Sequence, residues 1–182
     1  MTKIAVIVGS LRRESINRKL ATALSKLAKP GTEFNFVKID DVPLFNQDLE
    51  PSPPASVTRL KKDIESADGV LIVTPEYNRS IPGVLKNVID WASRPYGKNS
   101  FDGKPTAAIG TSQGAVGTAA GQQHLRSILT YLNVVQMGQP EGYIVYRKDM
   151  VDEQGHVPDE SVRKFLQLYT DKFVEWVDRH RR

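Results

Sequence analysis
An α/β fold, built on a five-stranded parallel sheet of order 2-1-3-4-5 with helices on both faces, is predicted by three features of the sequence. The runs Ile4–Val8 and Val70–Val73 are uninterruptedly apolar and rich in β-branched residues, and they stop at Gly9 and before Pro75. Strands covered on both faces read this way. Patterns of helical period alternate with such runs along the chain. Loops rich in small and polar residues follow three of the strands, at positions 9–17, 75–80 and 111–121. Open parallel sheets bind their ligands at such loops.

Each element has its own signal. After the strand at Ile4–Val8, the residues Leu20, Ala21, Leu24, Leu27 and Ala28 share one helical face that ends at Pro30-Gly31. Residues 34–39 make the second strand, and residues 40–54, with four prolines, make a long loop. Val57, Leu60, Ile64 and Ala67 mark the next helix, before the strand at Val70. Val84, Leu85, Val88, Ile89 and Ala92 mark the third helix, and Ala107–Ile109, entered from Gly103-Lys-Pro105, the fourth strand. Leu125, Ile128, Leu129 and Leu132 follow as a helix. A fifth strand spans residues 134–137 and 143–145, interrupted by Pro140-Glu-Gly142. The last helix carries Val162, Phe165, Leu166, Tyr169, Phe173 and Val177. Strict alternation implies right-handed crossovers. Five strands fit the flavodoxin-like order, with a ligand at the switch point, better than a six-stranded dinucleotide fold. Residues 1–182 are expected to form one domain, since 182 residues bury one core well and are few for two.

Composition narrows the function. The chain has no cysteine, which excludes disulfides, thiolate nucleophiles and zinc–thiolate sites. A cytoplasmic location is expected, for residues 1–10 lack a signal-peptide layout and no apolar run reaches membrane-spanning length. The net charge of +4 sits partly in Arg179-His180-Arg181-Arg182, which reads as a solvated helix end and not as a nucleic-acid surface. His124, His156 and His180 lack ligand spacing, so no metal site is expected.

The chemistry lies in the loops. Gly9-Ser-Leu-Arg-Arg-Glu-Ser-Ile-Asn17 ends at a helix N-terminus, where free N–H groups and the macrodipole favour an anion. Ser10, Ser15 and Asn17 add hydrogen bonds and Arg12 a positive charge, which makes this a phosphate loop; an N-cap alone needs one such residue. Neither the P-loop motif nor G-x-G-x-x-G is present, because Gly9 stands alone. Asp40 and Asp41 therefore read as turn residues. The loop at Pro75-Glu-Tyr-Asn-Arg-Ser80 brings a carboxylate, a phenol, a carboxamide and a hydroxyl to a strand's end, a set suited to a planar heterocycle. In Thr111–Gly121 small residues let the backbone approach a flat ligand, and Ser112 and Gln113 offer polar contacts.

Together Gly9-Ser-Leu-Arg-x-x-Ser-x-Asn17, Pro75-Glu-Tyr-Asn78, Ser80-Ile-Pro-Gly83, Leu85-Lys-Asn87 and Thr111-Ser-x-Gly114 resemble the NADPH-dependent FMN reductase family, and within it the bacterial quinone and chromate reductases. The likeness runs to about Met137. It implies that residues Ser10 to Asn17 (Ser10, Arg12, Arg13, Ser15, Ile16 and Asn17) hold the FMN phosphate. It places Pro75, Glu76, Tyr77 and Asn78 on the isoalloxazine ring, with Ser112, Gln113 and Gly114 closing the ring site. Arg13 is the alternative partner for a phosphate of the nicotinamide nucleotide.

The implied activity is transfer of hydride from NADPH or NADH through FMN to a small-molecule acceptor by ping-pong turnover. Quinone, chromate, azo and nitro compounds and free flavin all suit an open flavin face. No side chain is then catalytic in the covalent sense. Glu76 is the one candidate acid or base, against an orienting role. A flavodoxin-type electron carrier is the competing function, and a receiver-type domain would want an acidic cluster where Gly9-Ser10 stands. Trp91, Ala92, Arg94, Pro95 and Tyr96, with His124, Arg126 and Tyr131, have the composition of an interface, and a homo-oligomer, dimer or tetramer, is expected.

Overall fold
The computed structural model describes residues 1–181. Its strands are β1 (Thr2–Val8), β2 (Thr32–Phe36), β3 (Gly69–Val73), β4 (Pro105–Ser112), β5 (Val135–Gln136) and β6 (Gly142–Val145). The helices are α1 (Ile16–Leu27), α2 (Ala55–Glu65), α3 (Gly83–Ala92), α4 (Ala119–Tyr131) and α5 (Glu160–His180), with a 3-10 turn at Gln47–Leu49. The strands pair in parallel in the order β2-β1-β3-β4-β5, and β6 pairs further along β4. The predicted fifth strand is thus two pieces on one edge of β4. β5 sits against Pro105 and Thr106, β6 against Ile109 to Ser112, and Pro140, with no N–H to give a ladder, lies between them.

Burial on both sides explains why the central strands have no polar alternation. Ala5, Ile7, Val70 and Ile72 face a core with α2, α3 and α4, while Ile4, Val6, Leu71 and Val73 face one with α1 and α5. Each fully buried Leu, Ile or Val contributes roughly 1.5–3 kcal/mol, so these layers dominate what holds the sheet. The second strand was expected over 34–39 but runs from Thr32 to Phe36. Past Phe36 the Val37 N–H still bonds the Val6 carbonyl at 2.9 Å, and the chain then turns away while Val37 and Ile39 stay buried.

Two terminal features fix the last helix. Asp159 caps α5, accepting from Ser161 and Val162 N–H, and these bonds, led by the Ser161 hydroxyl, hold its carboxyl below the usual range. Tyr169 is buried and its hydroxyl donates to the Ala108 carbonyl at 2.8 Å, while burial pushes the phenol's pKa upward. Arg179 and His180 lie in the last turn of α5, where cations suit the helix dipole. Arg182, the end of the expected basic tail, lies outside the described residues.

The aromatic cluster at the end of α3 divides differently from expectation. Trp91 is 1% exposed and belongs to the chain's own core, so it is not part of an interface. The loop after β2 folds over α3, the Trp91 indole donates to the Pro43 carbonyl at 2.8 Å, and Phe45 packs edge-on against the ring. Asn87 closes the same loop, donating to Pro43 and accepting from Phe45 N–H. Arg94 stacks at 4.0 Å over Tyr96, and Tyr96 and Tyr131 are 73% and 79% exposed.

Candidate active site
Three loops meet at the carboxyl edge of the sheet, around a recess of about 350 Å³. The first follows β1. Its helix begins under a Ser15 cap, whose Oγ accepts from Arg18 N–H at 3.2 Å. Among the described residues, the N–H groups of Arg13, Glu14, Ser15, Ile16 and Asn17 donate to no protein acceptor. The first turn of α1 holds no acidic residue. An array of free donors at a positive dipole end has one evident complement, an anion. Ser10, Arg12, Ser15, Ile16 and Asn17 all border the recess. Arg13 does not; it lines a neighbouring one.

Asn17 is buried, and its side chain acts within the protein. The amide donates to the Thr111 carbonyl at 2.9 Å and accepts from the Thr111 N–H at 3.0 Å. β3 has stopped at Val73, but β4 continues to Ser112 and still needs a partner on that side. A carboxamide offers the same donor and acceptor as a peptide, so Asn17 extends the ladder and ties the first loop to the third.

The second loop is a tight reversal. Asn78 and Arg79 have φ of 52° and 65°, and Tyr77 and Ser80 exchange both backbone hydrogen bonds at 3.0 Å. Positive φ at both central residues is the type I′ geometry, which asparagine tolerates well. Pro75, Glu76, Tyr77 and Arg79 border the recess, and Asn78 stands outside its walls, exposed at the turn. The Glu76 side chain is only 7% exposed; one oxygen accepts from Gly121 N–H at 2.9 Å and the other lies 3.6 Å from Arg79. A carboxylate on the first turn of α4 gains from that helix dipole as well. Gly121 permits the approach, since a Cβ there would come 3.0 Å from the Ser80 carbonyl oxygen.

The third loop supplies Thr111, Ser112, Gln113, Gly114, Val116 and Gly117. The Ser112 hydroxyl donates to the Gly117 carbonyl, folding the loop back on itself. Gly117 has φ of 61°, and a Cβ would lie 2.8 Å from the Tyr143 backbone, so only glycine fits. Arg79, Thr111, Val116 and Gly117 are wall residues not singled out from sequence. A larger recess, of about 630 Å³, lies between α3 and α4 under Tyr96 and Tyr131. It receives none of these loops, and donors free for an anion favour the smaller one as the site.

The NADPH-dependent FMN reductase model matches residues 2–148. The chain belongs to that family. It is therefore an NAD(P)H-dependent flavin oxidoreductase, and the match extends past Met137, the reach of the likeness seen in the sequence. A 2-hydroxy-1,4-benzoquinone reductase from a Burkholderia species is 53% identical over 175 residues, covering 96% of each chain. A Pseudomonas putida quinone reductase is 46% identical over 179 residues, covering 98% of this chain and 96% of the relative. The solved structure of FerB from Paracoccus denitrificans, a flavoenzyme NAD(P)H:(acceptor) oxidoreductase, superposes with a TM-score of 0.96 at 48% identity over the full length of both chains.

Proposed function
We propose that this FMN reductase family member is a quinone reductase whose FMN lies in the three-loop recess. The observation that carries the reading is the row of free N–H groups from Arg13 to Asn17, beside Arg12 and the Ser10 and Ser15 hydroxyls. That set fits a phosphomonoester in charge and in donor number. Two walls of the recess, the small residues of the third loop and the Pro75–Tyr77 segment, suit a flat ring. Bound there, FMN would supply the redox chemistry that links NAD(P)H oxidation to reduction of the acceptor.

The chain's own residues hold and orient. Arg12 neutralises phosphate charge, and Ser15 holds the N-terminus of α1 open to it. Asn17 keeps the phosphate loop and the third loop in register through Thr111. Glu76 anchors the second loop to α4, an orienting role in preference to proton donation. Tyr77, 49% exposed, forms the wall that an incoming substrate meets. Quinones are favoured as acceptors by the relatives named quinone reductase, while chromate, azo and nitro compounds and free flavin remain within reach of an open face. A single domain, a cytoplasmic location where NAD(P)H is available, and a homodimer or homotetramer complete the reading. The exposed Arg94, Tyr96 and Tyr131 around the α3–α4 recess support the oligomer. No described helix is long and apolar enough to cross a membrane.

Anaerobic mixing tests the function. NADPH or NADH should bleach the flavin absorbance, and a benzoquinone should restore it within one turnover. A flavin that keeps its colour under excess nucleotide would make the protein an electron carrier.

A further inference from the structure
Beside the candidate flavin recess lies a second one, of about 380 Å³, between the first loop and the end of β2. Arg12, Arg13, Arg18 and Lys38 line it. Among the described residues, none of the three guanidiniums lies within 4.0 Å of a carboxylate. Other arginines here are engaged: Arg59 pairs with Asp41 at 2.6 Å, and Arg79 lies 3.6 Å from Glu76. Arg18 is positioned instead by an aromatic ring, its guanidinium 4.7 Å from the centre of Phe36. Like charges that outnumber their counter-charge repel one another, and a doubly charged anion relieves that repulsion. The one carboxylate on the lining is Asp40, opposed by four cations, one of which, Lys38, also bridges Asp41 at 3.4 Å.

The basic recess adjoins the candidate flavin site. Ser10 and Arg12 line both, and a third hollow, bordered by Leu11, Tyr77 and Gly83, shares Ser10 and Arg12 with each. Leu11 and Tyr77 are half exposed and give that hollow apolar walls. The result is a trough with an aromatic wall at the ring end and bare guanidiniums at the other. We infer that the recess lined by Arg13, Arg18 and Lys38 binds the 2′-phosphate of NADPH, and that the trough carries the dinucleotide to the flavin. The inference deepens the proposed function and rests on its use of NAD(P)H. It assigns Arg18 as a specificity residue: the 2′-phosphate is the one charged group that distinguishes NADPH from NADH, and a guanidinium bonds it in bidentate fashion.

The test compares both nucleotides on the FMN-loaded enzyme, with a benzoquinone as acceptor. Arg18→Ala and Lys38→Ala should each lower kcat/KM for NADPH about tenfold or more, and that for NADH less than twofold. Calorimetry supplies a readout free of turnover: adenosine 2′,5′-bisphosphate should bind the oxidised enzyme at least tenfold more tightly than AMP, and Arg18→Ala should erase the difference. If neither nucleotide is oxidised but this binding difference is found, the function is wrong and the phosphate subsite stands. Equal losses with NADPH and NADH, equal binding of the bisphosphate and AMP, or displacement of the bisphosphate by an equal concentration of inorganic phosphate would each overturn the subsite.

Discussion

The loops after β1 and β3 border the same recess and are built in opposite ways. The first leaves its backbone donors free: among the described residues, no N–H from Arg13 to Asn17 finds a protein acceptor. The second satisfies itself, with Tyr77 and Ser80 bonded to each other across a two-residue turn and Glu76 tied to the N-terminus of α4. A loop that keeps its donors free is stabilised by an anion and recognises charge. A loop closed on itself is a rigid wall and recognises shape. On this division, the first loop should set the affinity for the cofactor's phosphate, and the second should set how the ring and the substrate lie.

Substitutions sharpen the contrast. The largest effect is expected at Asn17, which ties the first loop to the third. Asn17→Ala leaves a buried N–H and C=O of Thr111 without partners, at about 1–3 kcal/mol each. The melting temperature of the apo-protein should then fall by roughly 5–15 °C, at about 2–4 °C per kcal/mol for a chain of this size. A drop under two degrees, measured by calorimetry, would mean that Thr111 finds water or another donor.

Arg12→Ala should act on affinity and leave chemistry alone. Losing one charge-assisted bond to phosphate costs about 1.5–3 kcal/mol, or about tenfold or more in the FMN dissociation constant. Turnover per bound flavin should stay within twofold of the parent enzyme. Equilibrium fluorescence titration reads the first number and stopped-flow the second; a slower flavin with unchanged affinity would reverse the roles assigned to the two loops.

In the second loop the pattern should invert. Asn78→Val places a β-branched residue at φ of 52°, in a region L-residues avoid, and should cost about 1–2 kcal/mol of stability. Asn78→Gly should be neutral in comparison, because only the backbone of this residue is needed. If both variants lose FMN equally, the Asn78 carboxamide contacts the ring after all. The smallest change is expected from Glu76→Gln, whose amide oxygen can still accept from Gly121 N–H. Most of the turnover should survive; its loss at full flavin occupancy would make Glu76 a proton donor.

How far the sequence could be read follows from the range of each interaction. The central strands were legible because burial on both faces writes a local pattern, as in Ile4–Val8. The phosphate loop was legible because Ser15 caps the helix that starts at the next residue, through a bond only three positions along the chain. Asn17 was read as a ligand-binding carboxamide because its partner, Thr111, lies 94 positions along the chain. Trp91 was read as an interface residue for the same reason: the carbonyl it bonds, at Pro43, belongs to a loop 48 positions earlier. Asn78 carried a local signal of a different kind, since asparagine before a polar residue between two short segments marks a turn as readily as a binding group. Arg18, which faces outward from α1, has no neighbour in sequence to distinguish it from any solvated arginine.

The most direct measurement is the affinity of the apo-protein for FMN against riboflavin, which share the ring and differ in the phosphate. If the first loop recognises charge and the other two recognise shape, FMN should bind at least about a hundredfold more tightly, two or more charge-assisted bonds at about 1.5–3 kcal/mol each. Arg12→Ala should narrow the gap by weakening FMN alone. Equal binding of FMN and riboflavin to the unsubstituted protein would contradict the account, for the free N–H groups from Arg13 to Asn17 would then face something other than the flavin's phosphate.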